Sequence, residues 1–444
     1  MSESSLLSIL VIGDLMLDRY WHGATSRISP EAPVPIVHVR GDHTSPGGVG
    51  NVALNIHALG GQVILLGVSG DDAAGDDLIR QLDRSGIELF IQRDPNIETI
   101  VKLRVMSKHQ QLIRLDFEKK YCVSHRTALH ADFQANVAKA KLVVLSDYGK
   151  GTLIDPQAFI QSATKAGVPV LVDPKGRNFS RYRGATILTP NYQEFCAVVG
   201  ECESDEEMVA KAKAFLQDYD IEALLITRGA QGMSLFRQDD EYHLAALAHE
   251  VYDVTGAGDT VIAALAAALV AGKEMREAMH LANTAASIAV THLGAVSVTQ
   301  KELQTTLAHH QYRAKGILSA EQLSLAITRT RQRGERIILV HGCFDVIHSE
   351  LIDLFQRAKG SGGRLLALVD EAADLHTQAQ RMRVLAGLAP IDWVVSSSGT
   401  SFDQWITQIA PDEIIAAKEY EITGIYLEKA DAGKKIAQIL ETVT

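Results

Sequence analysis

Cysteine is scarce in this chain, which has four cysteines among 444 residues. They are Cys122, Cys196, Cys202 and Cys343, and no two of them form a C-x-x-C pair. This pattern argues against a disulfide framework and gives no support to a zinc site built on cysteine. It predicts reduced thiols and a cytoplasmic protein.

Long apolar segments and excess basic charge are also lacking. The apolar run at residues 6–12 has no basic segment before it, and no run approaches the roughly 18 residues that a membrane span requires. The net charge of −11 at pH 7 disfavours nucleic acid or an anionic membrane as a general partner. Small anionic substrates remain compatible with this charge, because a local basic pocket can bind them.

Two catalytic motifs are missing as well. The sequence contains no G-x-x-x-x-G-K-[ST], which disfavours a P-loop mechanism. Its sixteen histidines show no H-E-x-x-H or similar spacing, so a catalytic zinc has no support.

The composition, 46% hydrophobic and 22% charged, is that of an ordinary globular protein. The length of the chain suggests two or three domains. Residues 6–12 and 63–68 read as buried strands, with an apolar helix at 49–59 between them. Alternation of this kind predicts a mostly parallel sheet covered on both faces. Ligands of such sheets bind beyond the carboxyl ends of the strands, where Asp14 and Asp18 follow the first strand.

Residues 253–259, D-V-T-G-A-G-D, precede an almost wholly apolar run at 261–271. A helix that begins here points unpaired backbone N–H groups outward, and Gly256 and Gly258 lack the side chains that would keep an anion away. Asp259 at the edge of this anion cradle is suited to accept a proton from a hydroxyl that attacks a phosphoryl group. The alternative is a buried helix start with Asp259 as its N-cap.

The pattern D-x-x-G-x-G-D before an alanine-rich helix resembles the C-terminal signature of the ribokinase-like carbohydrate kinases. The other signature of that family, a glycine pair leading into a helix, is matched by P-G-G-V-G-N-V-A-L-N at 46–55, followed by L-G-G at 59–61. Segments 13–23, 26–35 and 173–176 resemble one branch more closely, the kinase domain of the bifunctional heptose kinases/adenylyltransferases of bacterial lipopolysaccharide synthesis.

This resemblance implies an ATP- and Mg²⁺-dependent kinase that phosphorylates the anomeric hydroxyl of a heptose 7-phosphate in ADP-heptose synthesis. Asp259 would be the base, with an anion hole from the backbone of Gly256, Ala257 and Gly258. The implied sugar-binding residues are Asp14, Asp18, Gly47, Gly48 and Asn51. A solvated loop acid remains the alternative for Asp18.

Charged loops follow two further predicted strands. D-P-K-G-R at 173–177 follows the strand at 168–172, and S-D-Y-G-K-G at 146–151 follows the strand at 142–145. Lys175 and Arg177 are candidates for the phosphate that a phosphosugar already carries, since an ammonium and a planar guanidinium suit phosphate oxygens. An ordinary surface role is the alternative for both.

The resemblance also implies a nucleotide site. In the family an N-x-x-E element acts there, its glutamate reaching magnesium through water, and Asn191 to Glu194 matches it. The implied ATP- and magnesium-binding residues are Asn191, Tyr192, Gln193, Glu194, Thr227, Gly229, Gly232 and Asn283.

Residues 33–39, 99–106 and 111–117 interrupt the alternation of helices and strands and predict a small antiparallel sheet, with a polar turn at 107–110. The resemblance makes this sheet a lid over the sugar site and often a dimer contact, so we expect a homodimer. An ordinary edge hairpin is the alternative.

We predict a kinase domain at 1–315, a linker helix at 316–335 and a second domain at 336–444. G-C-F-D-V-I-H at 342–348 resembles the opening of the cytidylyltransferase-like nucleotidyltransferases, whose H-x-G-H motif is replaced here by H-S-E-L at 348–351. Phe344, Asp345 and His348 remain of that site. The basic segment that the family has is missing between residues 369 and 380, and A-A-K-E-Y stands at 416–420 where the family has K-G-G-D-Y, so we expect adenylyl transfer to be lost.

The predicted fold class is therefore α/β, a ribokinase-like doubly wound sheet with a small β lid, plus a smaller Rossmann-like nucleotidyltransferase-type domain. Two other functions stay open, another carbohydrate kinase acting on an unphosphorylated sugar and a sugar-phosphate sensor without turnover.

Overall fold

The structure is a computed structural model that describes residues 8–107, 110–119, 126–247, 251–312, 316–332, 334–360, 362–371 and 376–416. The chain divides into two compact units, residues 1–306 and 307–444.

The first unit alternates strands and helices. Its strands are β1 (Ser8–Gly13), β2 (Leu15–Ile28), β3 (Pro35–Gly48), β4 (Gln62–Gly70), β5 (Glu88–Asp94), β6 (Val101–Ser107), β7 (Gln110–Phe117), β8 (Ala140–Ser146), β9 (Val170–Asp173), β10 (Ile187–Leu188), β11 (Ala223–Thr227), β12 (Met233–Arg237) and β13 (Glu241–Leu244). Its helices are α1 (Val49–Ala58), α2 (Ala73–Arg84), α3 (Arg126–Val137), α4 (Pro156–Lys165), α5 (Tyr192–Val199), α6 (Asp205–Tyr219), α7 (Ala257–Val270), α8 (Met275–Ala289) and α9 (Gln300–Tyr312), which contains the division between the units.

Nine strands form the main sheet in the order β13-β12-β11-β10-β9-β8-β1-β4-β5. The seven strands from β11 to β5 pair in parallel, and β12 and β13 extend the sheet by antiparallel pairing. The prediction of a mostly parallel sheet is confirmed.

Both faces of this sheet are buried, because successive side chains of a strand point to opposite faces. Ile9 and Val11 of β1 lie in one core with residues of α1, α7 and α8. Leu10 and Ile12 lie in the other core with residues of α3, α4 and α6. Continuous burial of β1 therefore explains why its sequence is apolar without alternation.

A four-stranded sheet in the order β3-β2-β6-β7 forms the predicted lid. The prediction was wrong in two respects, since it omitted β2 and described the whole sheet as antiparallel, whereas β2 and β6 pair in parallel. Leu15, Met16 and Leu17 at the start of β2 are all buried, so this strand lacks the two-residue alternation that marks a half-buried strand.

The second unit contains β14 (Gly316–Ile317), α10 (Ala320–Gln332), β15 (Ile337–Gly342), α11 (Ser349–Gly360), β16 (Arg364–Val369), α12 (Gln378–Ala386), β17 (Trp393–Ser396), α13 (Phe402–Ile409) and β18 (Glu413–Ala416). Its five strands form a parallel sheet in the order β14-β17-β16-β15-β18.

The helix that we predicted as a linker covers one face of this second sheet. Leu323 and Ile327 of α10 share a buried core with Trp393 of β17 and Trp405 of α13. Residues of α11 and α12 form a separate core on the other face. Helices on both faces of a parallel sheet give the Rossmann-like architecture predicted for this part of the chain.

Among the described residues, no helix is both long enough and apolar enough to span a membrane.

Candidate active site

Two neighbouring strands of the main sheet, β1 and β8, end beside each other. A Cβ atom added at Gly13 would lie 2.1 Å from the carbonyl oxygen of Ser146, so only glycine permits this approach. The next residue, Asp14, is fully buried, and its carboxylate accepts backbone N–H groups from Tyr148 at 2.9 Å, Lys150 at 3.0 Å and Thr152 at 2.9 Å. Asp14 therefore holds the loop after β8, and both of its carboxylate oxygens are already engaged.

Asp18 of β2 lies in the lid, and its buried carboxylate forms an ion pair with the buried guanidinium of Arg104 on β6. A Cβ atom added at Gly47 would lie 2.4 Å from Asp18 Oδ2, and Gly48 adopts a positive φ of 55°. The alternative of a solvated loop acid is wrong for Asp18, because its side chain is buried and paired.

Helix α7 begins at the predicted anion cradle. Its N-cap is Gly256, with φ of 75° and no side-chain cap, and Asp259 lies in the first turn. A Cβ atom at Gly256 would lie 2.7 Å from Asn51 Nδ2, so both the backbone conformation and the space require glycine here. The alternative of Asp259 as N-cap is therefore wrong.

The carboxylate of Asp259 is buried and accepts a hydrogen bond at each oxygen. Asn51 Nδ2 donates to Oδ2 at 2.8 Å, and the hydroxyl of Tyr148 donates to Oδ1. Burial raises the pKa of Asp259 to about 6, while these two hydrogen bonds oppose the rise. Asp259 is thus ionised near neutral pH and more basic than an ordinary aspartate, as proton transfer from a hydroxyl requires.

The cradle has room for an anion. A Cβ atom at Gly258 would meet nothing within 4 Å. The amide of Ala257 donates to the carbonyl of Val254 at 3.2 Å, which closes the turn before the helix. The next first-turn amides have no acceptor within an α-helix, so they fit the negative oxygens of a phosphoryl group.

The predicted nucleotide residues occur in two groups. In the first, Asn191 and Glu194 form a reciprocal capping box at the start of α5. The backbone of Asn191 also forms an isolated parallel β-bridge with Thr227 at the end of β11. Tyr192 instead donates its hydroxyl to the carbonyl of Cys202 at 3.2 Å, and Gln193 is exposed.

The second group contacts residues 244–246, at the end of β13 and directly after it. Asn283 Nδ2 donates to the carbonyl of Ala245 at 2.8 Å. A Cβ atom at Gly232, where φ is 90°, would lie 2.0 Å from the carbonyl oxygen of Leu244. Gly229 begins the short 3-10 turn Gly229–Gln231 with φ of 58°.

Lys175 lies with the first nucleotide group. Its Nζ donates to Glu194 Oε1 at 2.7 Å and, among the described residues, makes no hydrogen bond to Asp14, Asp18 or Asn51, which were predicted to bind the sugar. About half of the Lys175 side chain is exposed, 49% against 16% for Glu194, so the pair is weak and can open.

The structure adds two residues to this site that the sequence analysis had not assigned. Tyr148 contacts Asp259, and Asp173 at the end of β9 has a pKa well above its ordinary value because of burial and the nearby charges of Asp259 and Glu194. Tyr148 lies in the charged loop predicted at 146–151, and Asp173 is the first residue of the charged segment predicted at 173–177. Their proximity to Asp259 depends on pairings over about a hundred residues, which no local pattern records.

No group of three or more His, Cys, Asp or Glu side chains in the described part of the chain could hold a metal ion. Magnesium differs from zinc in keeping several waters and needing few protein carboxylates. A single carboxylate such as that of Glu194 therefore fits magnesium that is shared with nucleotide phosphates.

In the second unit, the residues that remain of the nucleotidyltransferase motif are held by local interactions. His348 Nδ1 lies 2.9 Å from Glu350 Oε2, and Asp345 Oδ1 accepts the backbone N–H of His376 at 3.1 Å. Phe344 is buried with a positive φ of 52°, and Leu351 is buried in the core. Residues 417–420, which include most of the altered segment at 416–420, lie outside the described residues.

Comparison with known proteins identifies the class of this site. Residues 6–302 match the pfkB family carbohydrate kinases. The chain therefore belongs to this family and is a carbohydrate kinase with ATP and Mg²⁺ as cofactors, which confirms those predictions.

More specific relatives carry the name bifunctional protein HldE. That of Pseudomonas aeruginosa strain PAO1 is 46% identical over 96% of this chain and 93% of its own length. That of Alkalilimnicola ehrlichii is 48% identical over 93% of this chain and 89% of its own length. The predicted resemblance to the bifunctional branch is thereby confirmed.

Solved structures agree on the fold. Phosphofructokinase-2 from Escherichia coli in complex with substrates and products has a TM-score of 0.60 and 19% identity, covering 68% of this chain and 98% of that one. Ribokinase from Arabidopsis thaliana has a TM-score of 0.55 and 24% identity, covering 67% of this chain and 98% of that one. The ribokinase-like fold class is confirmed.

Proposed function

We propose that this kinase transfers the γ-phosphoryl group of ATP to the anomeric hydroxyl of D-glycero-D-manno-heptose 7-phosphate, giving the 1,7-bisphosphate for ADP-heptose and lipopolysaccharide core synthesis. The observation that carries the transfer is the buried Asp259 carboxylate at the open start of α7. The heptose is supported by the similarity of segments 13–23, 26–35 and 173–176 to the bifunctional branch, and by the HldE relatives.

In this proposal Asp259 takes the proton of the sugar hydroxyl as its oxygen attacks. Its pKa of about 6 keeps the carboxylate ionised at neutral pH and gives it more driving force for proton transfer than an ordinary aspartate has. The backbone from Gly256 to Gly258 stabilises negative charge on the transferred group, a contribution of a few kcal/mol in comparable anion holes. Bound ATP and magnesium supply the phosphoryl group and neutralise part of its charge.

The sugar lies, in this proposal, between the lid and the start of α1. Asp18, Gly47, Gly48 and Asn51 face it, and the absence of side chains at the two glycines lets the sugar approach the backbone. Asp14 serves this site through the loop that it holds, because its carboxylate is buried and already accepts three N–H groups. We assign this chemistry to the domain predicted at 1–315.

Nucleotide binding is assigned to the two groups around α5 and residues 244–246. Glu194 would hold magnesium through water, with Asn191, Thr227, Gly229, Gly232 and Asn283 near the nucleotide. Tyr192 and Gln193 stay predictions: the Tyr192 hydroxyl donates to the backbone carbonyl of Cys202, and Gln193 is exposed.

The direct test is product analysis by mass spectrometry after incubation with ATP, magnesium and a panel of phosphorylated and unphosphorylated sugars. We expect heptose bisphosphate as the main product. Asp259→Asn is the matched control, because the amide occupies the same space but cannot accept the proton. We expect its kcat to fall by roughly 10²- to 10⁴-fold with ATP binding intact. Preferential turnover of an unphosphorylated sugar would show that heptose 7-phosphate is not the substrate. A wild-type kcat in Asp259→Asn would show that Asp259 is not the base.

We further propose that Lys175 leaves Glu194 to bind the phosphate that the sugar already carries. Solvent screens the half-exposed Lys175 ammonium in this ion pair, whereas a charge-assisted hydrogen bond to phosphate contributes roughly 1.5–3 kcal/mol. Lys175→Ala should therefore raise KM for the sugar phosphate about 10- to 100-fold and leave KM for ATP nearly unchanged. A rise confined to KM for ATP would assign Lys175 to the nucleotide instead.

We propose that the second domain, residues 336–444, no longer transfers adenylyl groups. The carboxylate of Glu350 lies beside His348, where the motif of the resembled family would receive a triphosphate, and Leu351 is buried and offers no donor. Loss of one charge-assisted hydrogen bond weakens stabilisation of the triphosphate in the transition state by about 1.5–3 kcal/mol, which lowers the rate roughly ten- to a hundredfold.

The assay for this loss uses heptose 1-phosphate, ATP and magnesium, with measurement of pyrophosphate and ADP-heptose. We expect neither product above the level of a His348→Ala control. Robust formation of both products by the wild-type chain, abolished in that control, would mean that the domain is a working adenylyltransferase.

We propose that the kinase is a homodimer that uses the lid. On β7 the alternate residues Ile113, Leu115 and Phe117 are exposed by 51%, 39% and 51%, which forms an apolar stripe on a strand at the edge of its sheet. Ile113→Lys combined with Phe117→Lys should convert a dimer to a monomer in analytical ultracentrifugation at micromolar concentration. A dimer that persists in this variant would place the interface elsewhere.

A further inference from the structure

Tyr148 contacts Asp259, which the sequence around Tyr148 does not predict. It lies in the loop after β8, and its hydroxyl donates to Asp259 Oδ1, while Asn51 Nδ2 donates to Oδ2 at 2.8 Å. The carboxylate is therefore held at both ends. A carboxylate oxygen can accept a second hydrogen bond, so each still has capacity for a substrate hydroxyl.

The loop that carries Tyr148 is fixed by two buried carboxylates. Asp14 accepts the backbone N–H of Tyr148 at 2.9 Å and two further amides of the loop. Asp147 accepts the N–H of Gly149 at 2.7 Å and the hydroxyl of Tyr182 at 2.6 Å. Two carboxylates thus accept four backbone amides of the loop, which fixes the backbone position from which the Tyr148 side chain reaches Asp259.

Charged groups from several elements face this pair. Asp18 from β2, Lys102 from β6 and Asp173 from β9 act on Asp259 or Tyr148. The ammonium of Lys102 lies over the Tyr148 ring, 5.4 Å from its centroid, and among the described residues it forms no ion pair. Burial and the charge of Asp259 raise the pKa of Tyr148 well above its usual range, so the phenol stays protonated and acts as a donor.

We propose that Tyr148 is a positioning residue for the base, which fixes one oxygen of Asp259 so that the carboxylate presents its remaining acceptor positions to the attacking sugar hydroxyl. This inference rests on the proposed role of Asp259. During the reaction the proton moves from the sugar oxygen to Asp259 while the new P–O bond forms and the bond from the γ-phosphorus to ADP breaks. Tyr148 keeps its own proton throughout.

The test is Tyr148→Phe, with kcat and KM measured from pH 5 to pH 9. The hydrogen bond from Tyr148 lowers the pKa of Asp259, so its removal should raise that pKa further. Because the ionised base is the active form, the acidic limb of the kcat/KM profile, which reports the free enzyme, should move upward from about pH 6. We expect a shift of about one pH unit, which lowers kcat/KM for the sugar phosphate about fivefold at pH 6 and about tenfold at pH 5, with KM for ATP within about twofold of wild type.

Tyr242→Phe is the matched control. It removes a tyrosine hydroxyl that lies 2.7 Å from His280 Nε2 and takes no part in the hydrogen bonds that hold the Tyr148 loop. It should leave the acidic limb at the pH of the wild-type protein. A purely structural role for Tyr148 predicts the same behaviour for both variants.

A second substitution with the opposite sign covers the case in which Tyr148→Phe does not fold. Replacement of Tyr148 by 3-fluorotyrosine makes the phenol more acidic and a stronger donor, so the acidic limb should move to lower pH. An unmoved limb in the fluorinated protein, or in a folded Tyr148→Phe, would overturn this inference. If Asp259→Asn is inactive but the acidic limb is unmoved in both Tyr148 variants, only the proposed role of Tyr148 is rejected. If Asp259→Asn is active, the proposed role of Asp259 as base is rejected as well.

Discussion

The buried carboxylate of Asp14 is the interaction on which the geometry of the site depends. It directly follows β1, which lies between β8 and β4 in the main sheet, and accepts three N–H groups from the loop after β8. A buried carboxylate without partners would be strongly destabilising, so these hydrogen bonds are needed for the strand to end in aspartate at all. The same bonds shape the loop that brings Tyr148 to Asp259.

The proposed base, Asp259, lies at the start of α7. Gly256, with its positive φ and lack of Cβ, lets Asn51 approach Asp259 from α1, while Tyr148 approaches from the loop after β8. Burial and hydrogen bonding act in opposite directions on the pKa of Asp259, and burial is the stronger effect. The result is a carboxylate basic enough to take a proton and still ionised at neutral pH.

The second unit has the same kind of architecture but a different polar edge. Its parallel sheet has a separate core on each face, and α10 completes one of them. At the start of α11, the exposed carboxylate of Glu350 lies beside His348, at the position where the motif of the resembled family meets phosphates. A fold can thus be retained by its core while its site changes, because packing depends on Leu351 and its apolar neighbours, whereas anion binding depends on exposed polar residues.

The sequence by itself was sufficient for features that local chemistry specifies. The apolar strands predicted the parallel sheet, and the glycine-flanked carboxylate predicted an open helix start with Asp259 at its edge. Asn191 and Glu194 were assigned to one short element, and they form a capping box at the start of α5. Each of these depends on residues within one turn or one strand of each other. Tertiary structure alone decided the rest. The parallel pairing of β2 with β6, the hydrogen bond of Tyr148 to Asp259 and the pairing of Arg104 with Asp18 join residues 80 or more positions apart. Local patterns indicate which residues are polar and where strands end, but the order of strands in the sheet determines which polar ends meet. That order is set by burial of apolar faces over the whole unit, and so it settled what no motif could specify.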